Sequence, residues 1–201
     1  MATIAVLGTL DSKGEEHAFV AALIARHGHK PLLIDVGTGG PATVSPDLSR
    51  EQVAAAAGID LAALMAKKDR GECVVAMTKA APVCVAKLAA EGRIDGIISL
   101  GGGGGTAIGT AAMRALPLGF PKLMVSTLAA GNVAPYLGTK DITMMPSIAD
   151  VAGLNRLSRV IFTRAAGAIC GMVGATPEVG AAQPLVVASQ FGNTKIGRAH
   201  V

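Results

Sequence analysis

Short apolar runs alternate with longer stretches of helical periodicity along almost the whole chain. The apolar runs predict strands, and they cover residues 4–8, 31–36, 94–100, 122–126 and 141–145. The stretches between them predict helices at residues 14–27, 51–68, 71–91, 107–115 and 148–172. Because parallel strands need crossover connections, this alternation predicts an α/β fold with a doubly wound, mainly parallel sheet and helices on both faces.

Five strands favour the flavodoxin-like, or Rossmann-like, strand order 2-1-3-4-5. In that order the ligand crevice opens beyond the carboxyl ends of strands one and three. The loops at those two ends are residues 9–13 and 101–106, and they are the most polar and the most glycine-rich strand ends in the chain. Two independent patterns therefore predict one site.

Two helical stretches contain breaking residues. The first is interrupted at Gly58-Ile59-Asp60, where Asp60 has the side chain of a typical helix N-cap. The second contains Pro82, which predicts a kink or the start of a new helix at that point.

Five consecutive glycines, Gly101 to Gly105, follow the third strand and are themselves followed by Thr106 and a helical segment. At a turn from strand to helix, residues without side chains let an anion approach the backbone, and the helix supplies free N–H groups. The alternative is a flexible linker, but linkers seldom lie between two core-forming segments. The glycine run therefore predicts a phosphate site, although it matches a dinucleotide-binding fingerprint only loosely.

The loop from Gly8 to Gly14 offers side chains suited to a nucleotide. Thr9, Ser12 and Lys13 suit phosphate oxygens, and Asp11 suits a metal ion or a ribose hydroxyl. The alternative reading makes Asp11 or Ser12 an ordinary helix cap. The loop lacks the spacing of a Walker motif, since no Ser or Thr follows the lysine.

Two further strand ends carry candidate residues. Asp35 ends the second strand, where a carboxylate often meets a ribose, and the alternative is a solvated turn residue. The loop from Ser126 to Asn132 follows the fourth strand with small and hydroxyl-bearing residues, and the alternative is a tight loop that only turns the chain. The candidate binding residues are Gly8, Thr9, Asp11, Ser12, Lys13, Asp35, Gly101, Gly102, Gly103, Gly104, Gly105, Thr106, Ser126, Thr127 and Gly131.

Composition narrows the classes of function. Hydrophobic residues make up 51% and aromatic residues only 2% of the chain, which argues against a stacking surface for single-stranded nucleic acid. The three cysteines form no disulfide or zinc pattern, so a reducing, cytoplasmic location is expected. No signal segment or membrane span is evident, and no catalytic triad can be assembled. His17, His27 and His29 have no metal-site spacing, so no metal site is predicted and surface positions are expected.

The chain end changes the domain assignment and the charge. Residues 195–201 match the translation of a common sequencing adapter, so they are excluded from fold reasoning as a non-native tail, the alternative being a genuine short polar tail that carries no site. Without Lys195 and Arg198 the 18 basic residues fall to 16 against 14 acidic ones, a net charge of +2 that indicates no nucleic-acid partner. The remaining chain divides into a Rossmann-like domain at 1–172, a linker at 173–183, and residues 184–194.

Several ungapped motifs resemble one family. They are Gly8 to Gly14, Gly101 to Thr106, Pro121 to Thr127 and Asp150 to Arg156. Together they resemble the N-terminal part of a family of largely uncharacterised bacterial, fungal and plant proteins that is related to the tomato mosaic virus resistance protein. The likeness extends to about residue 194. It implies two consecutive Rossmann-like domains, with residues 184–194 as the first strand and turn of a truncated second domain.

The resemblance also implies a ligand, because the tomato relative binds ATP through its N-terminal region. It assigns Thr9, Asp11, Lys13, the 101–106 turn and the 126–131 loop to the nucleotide site. Here the turn contains more glycine than the family pattern Gly-Gly-Ser-Gly-Gly-Thr, so a hydroxyl is missing at Gly103.

The expected function is a nucleotide-binding module with a regulatory or ligand-binding role, whose cofactor is ATP, alone or with Mg²⁺. The alternative is an ATP-dependent enzyme of phosphoryl or acyl transfer that uses the same crevice. The binding module is favoured because the chain shows no nucleophile paired with a general base. The expected partners are the nucleotide, the missing C-terminal domain and a second copy of the chain.

Overall fold

A computed structural model of the protein describes residues 1–176 and contains a five-stranded sheet. The strands are β1 (Thr3–Gly8), β2 (Lys30–Asp35), β3 (Gly96–Gly101), β4 (Lys122–Ser126) and β5 (Thr143–Pro146). All neighbours pair in parallel in the order β2-β1-β3-β4-β5, which confirms the predicted topology. The carboxyl ends of β1 and β3 therefore lie side by side.

Seven helices connect the strands or follow them within the described residues. They are α1 (Leu10–Arg26), α2 (Arg50–Ala56), α3 (Leu61–Ala66), α4 (Arg70–Ala90), α5 (Gly103–Arg114), α6 (Ala134–Leu137) and α7 (Arg156–Gly174). Alternate residues of β1 face opposite sides of the sheet: Ala5 and Leu7 pack with α4 and α5, and Ile4 and Val6 pack with α1 and α7. The sheet is thus covered on both faces, which is why the central strands are continuously apolar.

Of the two predicted helix interruptions, the structure contains the first, and no new helix begins at the second. The break near Gly58 is confirmed, and Asp60 caps α3 by accepting a hydrogen bond of 3.0 Å from the Ala63 N–H. No new helix begins at Pro82, because α4 runs without interruption through it. Proline costs about 3 kcal/mol inside a helix. Here the residues around it, Ala80, Ala81 and Val85, are fully buried, and this packing keeps the helix intact.

The last helix begins later than the sequence pattern predicts. α7 starts at Arg156 and not at Ile148, because Asn155 and Ser158 form a capping box. The Asn155 side chain accepts from the Ser158 N–H at 2.9 Å, and the Ser158 hydroxyl accepts from the Asn155 N–H at 2.8 Å. Residues 147–155 are therefore an irregular segment on the carboxyl side of β5.

The end of α7 bears on the predicted domain boundary. α7 ends at Gly174, so the first two residues of the predicted linker at 173–183 are helical. The rest of the linker from residue 177, the predicted strand at 184–189 and the tail at 195–201 lie outside the described residues.

Helices α4 and α7 are long and apolar enough to cross a membrane by those two criteria, with mean hydropathies of 1.6 and 1.2. Both nevertheless pack on the sheet, where Met77 of α4 and Phe162 of α7 are buried in the two core layers. Core helices of a layered α/β fold meet the same criteria, so their apolar character is explained by this packing.

Candidate functional site

A cleft of about 460 Å³ lies beyond the carboxyl ends of β1 and β3. Its size falls within the usual range for small-molecule sites, and its position is the crevice that the strand order predicts. The walls come from the β1–α1 connection, the loop after β2, and the starts of α4 and α5. The lining residues are Thr9, Asp11, Ser12, Lys13, Thr38, Gly39, Gly40, Arg70, Val74, Gly102, Gly103, Gly104, Gly105 and Ile108.

The glycine run contains both the turn after β3 and the first turn of the following helix. Gly101 ends β3, Gly102 is the N-cap, and Gly103 to Gly105 form the first turn of α5. The first hydrogen bond of the helix runs from the Thr106 N–H to the Gly102 carbonyl at 2.8 Å, and no side chain of the described part of the chain caps the helix. The three glycine N–H groups in that first turn bond to nothing within residues 1–176, and their residues line the cleft. Among the described residues they are thus donors without an acceptor, at the positive end of the helix dipole.

The space around these glycines distinguishes their roles. A Cβ on Gly101 would lie 2.9 Å from the Gly105 Cα, so glycine is required there for close backbone packing. A Cβ on Gly103 would meet nothing within 4 Å, and one on Gly104 would only touch Val74 at 4.0 Å. None of the five has a positive φ, so backbone conformation does not require glycine at Gly103 or Gly104. Their missing side chains instead leave the cleft open at the free N–H groups.

Asp11 lies in the first turn of α1 and is fixed by the loop after β2. Its Oδ2 accepts a hydrogen bond of 2.6 Å from the Gly39 N–H, and its Oδ1 is buried with no partner among the described residues. A Cβ on Gly37 or Gly39 would lie 2.8 or 2.9 Å from the carboxylate, so both glycines make room for it. Asp11 is therefore not the cap of α1. The N-cap is Thr9, whose side chain makes no capping bond.

Lys13 interrupts the regular geometry of α1. Its backbone has φ −138° and ψ 30°, outside the helical range, although the helix continues on both sides. Lys13 is one of the lining residues of the cleft, and its ammonium donates to the Val151 carbonyl in the irregular segment before α7. Ser12 also lines the cleft, and its hydroxyl lies 3.2 Å from the Thr9 hydroxyl.

Asp35 does not line the cleft, but it fixes two of the segments that do. The side chain is buried, and its Oδ1 accepts from the Leu10 N–H at 3.0 Å and the Gly37 N–H at 2.8 Å. Burial raises the pKa of this carboxyl above its ordinary value, against the lowering effect of the two hydrogen bonds. Asp35 thus ties the start of α1 to the end of β2. It is not the solvated turn residue that one reading of the sequence predicts.

Thr106 in α5 and the candidate residues from the end of β4 onward also lie outside this cleft. Thr106 and Ser126 are fully buried, and their hydroxyls are 2.7 Å apart. Thr127 lines a second cleft of about 400 Å³ beside the irregular segment. Gly131 closes a turn by donating to the Leu128 carbonyl at 3.0 Å. The hydroxyl pair therefore joins α5 to the end of β4 beneath the glycine run.

His17 is completely buried, so the prediction of a surface position is wrong. Its imidazole covers Gly8, where a Cβ would lie only 2.0 Å from the His17 Nε2, and Gly8 is not among the residues that line the cleft. The Nδ1 is 2.6 Å from the Lys13 carbonyl, and the Nε2 has no partner among the described residues. The sequence could not reveal this burial, because the histidine lies on a helix with polar neighbours.

The burial of His17 predicts a pH dependence of stability. Burial lowers the pKa of His17 below 6.5, against the raising effects of the Lys13 carbonyl and Glu16, while the Lys13 charge lowers it further. The unfolded chain therefore binds a proton at a higher pH than the folded chain does. We expect the free energy of unfolding to fall as the pH drops below about 6.5, and His17→Asn to weaken this dependence. Urea titrations of both chains between pH 7 and 5 test it, and a pH-independent difference between them would contradict it.

The sequence reasoning missed six of the residues that line the cleft: Thr38, Gly39, Gly40, Arg70, Val74 and Ile108. The run Gly37-Thr38-Gly39-Gly40 directly after β2 was a usable signal, since it places three glycines at a strand end. Arg70 and Val74 gave no comparable signal, because they reach the cleft only through the packing of α4 beside α5.

Comparison with known proteins identifies relatives. A family model described as the N-terminal domain of the uncharacterised protein family UPF0261 matches residues 2–178. A UPF0261 protein of Clostridium tetani is 47% identical over 195 residues, which are 96% of this chain and 48% of the relative. A UPF0261 protein of Rhizobium meliloti is 47% identical over 194 residues, with the same coverage of 96% and 48%. The chain thus spans about half the length of these relatives.

A plant protein is similar over a shorter stretch. The ToMV susceptible protein tm-1(GCR26) of Solanum lycopersicum is 40% identical over 104 residues, which are 52% of this chain and 14% of the tomato protein. The likeness therefore concerns a small part of the tomato protein.

Proposed function

The chain belongs to the UPF0261 N-terminal domain family, and from that premise we propose that it is a nucleotide-binding module whose ligand is ATP. The observation that carries this proposal is the set of three N–H groups at Gly103, Gly104 and Gly105, which have no acceptor within residues 1–176 and belong to residues that line an open cleft. Such a helix start suits an anion such as phosphate, because the N–H groups and the helix dipole both favour negative charge.

The other walls of the cleft support the same ligand. Lys13 supplies a positive charge, and the hydroxyls of Thr9 and Ser12 suit phosphate oxygens. Arg70, at the start of α4, also lines the cleft and adds a second cation. The side-chain-free surface of Gly103 and Gly104 leaves the backbone accessible to a phosphate chain.

Mg²⁺ fits this arrangement through Asp11. The carboxylate is held in place by the Gly39 N–H, while its Oδ1 is buried without a partner among the described residues. Mg²⁺ at nucleotide sites is commonly held by one or two carboxylates together with substrate phosphates. Asp11 is therefore the residue we propose as its protein ligand, and the ion would neutralise part of the phosphate charge.

Replacing Lys13 tests the phosphate assignment. We expect Lys13→Ala to weaken ATP binding by roughly 1.5 to 3 kcal/mol, because a charge-assisted hydrogen bond is lost, and to leave adenosine binding nearly unchanged. Isothermal titration calorimetry with both ligands measures the difference. Lys79→Ala on α4, outside the cleft, is a matched control. An equal loss for ATP and adenosine would show that the lysine has only a structural role.

A binding role is favoured over catalysis by the hydrogen bonds in the cleft. The Thr9 and Ser12 hydroxyls bond to each other, and the Asp11 Oδ2 is occupied by the Gly39 N–H. Within the part of the cleft that the structure describes, no hydroxyl therefore bonds to a base that could activate it. The alternative is phosphoryl or acyl transfer in the full-length protein, where a second domain and a second copy of the chain are proposed partners. Release of ADP or AMP by the full-length protein would favour the enzyme.

A further inference from the structure

We propose that His17 is a positioning residue for Lys13: it fixes the Lys13 backbone at the interruption of α1, and thereby sets how the Lys13 side chain enters the cleft wall. The inference rests on the proposed function, because it assigns a role to Lys13 in phosphate binding. It concerns a buried side chain that does not itself line the cleft.

The first support is the interruption of α1 at Lys13. The φ of −138° at this residue differs from the helical value of about −63°. This change rotates the first turn of α1, which carries Asp11 and Ser12, relative to the rest of the helix. The imidazole Nδ1 of His17, one turn later, lies 2.6 Å from the carbonyl of the interrupting residue. This hydrogen bond therefore holds the backbone at the residue where α1 is interrupted.

The second support is that the imidazole has no freedom to move. It is fully buried and packs against Gly8, where even a single added carbon would overlap the ring. A carbonyl oxygen can only accept, so the Nδ1 is the protonated nitrogen and donates to the Lys13 carbonyl. The Nε2 is then unprotonated. The ring, its tautomer and the carbonyl are thus fixed relative to the end of β1.

The third support is the energetic cost of this histidine. A buried polar atom without a hydrogen bond is unfavourable, and the Nε2 has no partner among the described residues. An apolar side chain of similar size would fill the same space without that cost. Core packing therefore does not account for a histidine here, whereas the bond to the Lys13 carbonyl does.

A matched pair of substitutions tests the inference. Asparagine places its amide nitrogen where the histidine Nδ1 lies, whereas glutamine extends its amide toward the Nε2 position. We expect His17→Asn to keep the ratio of ATP to adenosine affinity close to that of the parent chain. We expect His17→Gln to lower ATP affinity about tenfold, with adenosine affinity unchanged, because the Lys13 contact is misplaced.

A double-mutant cycle tests whether His17→Gln lowers ATP affinity through Lys13. In a Lys13→Ala background, His17→Gln should cause no further loss of ATP affinity, since the group that it positions is absent. Melting temperatures of every variant confirm that folded chains are compared. A parental ATP to adenosine ratio in folded His17→Gln, or an equal loss in both backgrounds, would overturn the inference.

The proposal also has a test in the unmodified chain. Nitrogen-15 NMR of the imidazole should show a protonated Nδ1 and an unprotonated Nε2, and the reverse tautomer would overturn it. Failure of this inference and failure of the proposed function are distinguishable. If Lys13→Ala leaves ATP affinity unchanged, the phosphate role of Lys13 is wrong, whereas a loss with Lys13→Ala but not with His17→Gln removes only the positioning role.

Discussion

A chain with Gly103→Ala and Gly104→Ala should be more stable than the parent and should bind ATP roughly a hundredfold more weakly or worse. Stability should rise by up to about 1 kcal/mol per residue, because alanine is the better helix former and both added methyl groups have space. Binding should fall because the same methyl groups occupy the surface where phosphate must approach the N–H groups. Thermal melts and calorimetric titration with ATP measure the two effects.

Because stability should rise while ATP affinity falls, a loss of binding in this variant cannot be attributed to unfolding. Gly167→Ala with Gly171→Ala in α7 is a matched control, since a Cβ at either position meets nothing within 4 Å. That pair should also raise stability, but it should leave ATP affinity unchanged because α7 does not line the cleft. A folded Gly103 and Gly104 double variant with parental ATP affinity would remove the phosphate role from the start of α5.

Asp35→Ala should destabilise the fold by roughly 2 to 6 kcal/mol, because it leaves the buried N–H groups of Leu10 and Gly37 without an acceptor. This loss is a large fraction of the stability of an ordinary domain. Asp35→Asn should cost far less, since the amide oxygen can accept the same two hydrogen bonds. Urea denaturation of the parent and the two variants measures the ranking.

This pair also separates two roles for the carboxylate. If Asp35 binds a ribose, both substitutions should weaken adenosine binding while Asp35→Ala stays stable. If it joins the start of α1 to the end of β2, as its contacts indicate, the alanine variant should be unstable and the asparagine variant should bind adenosine normally. Parental stability of Asp35→Ala would contradict the structural role.

The fold was predictable because its signals are local and repeated. A buried parallel strand needs consecutive apolar residues such as Ile97 and Ile98, and a crossover needs a helical stretch before the next strand. Each of these two patterns can be recognised from a few neighbouring residues of the sequence. The alternation restricts the chain to few topologies, and the strand order that follows places two polar loops at one crevice.

The candidate site was predictable only where its residues follow a strand directly. Lys13 and the glycine run do so, and the structure places both in the cleft wall. Arg70 also lines the cleft, but it begins a helix far from any strand end. Its position depends on how α4 packs beside α5, and no sequence pattern near Arg70 reports that packing.

By itself, the sequence determined the order of strands and helices, because hydrophobic periodicity is set by neighbouring residues. Only the tertiary structure decided which polar groups are buried. Lys122 begins a strand, yet it is fully buried, and its ammonium lies 2.7 to 2.8 Å from the carbonyls of Pro117 and Phe120 and from Asp141. His17 is likewise enclosed by the end of β1. The physical reason is that the environment of a side chain is made by segments distant in the chain, whose approach is settled only when the layers pack.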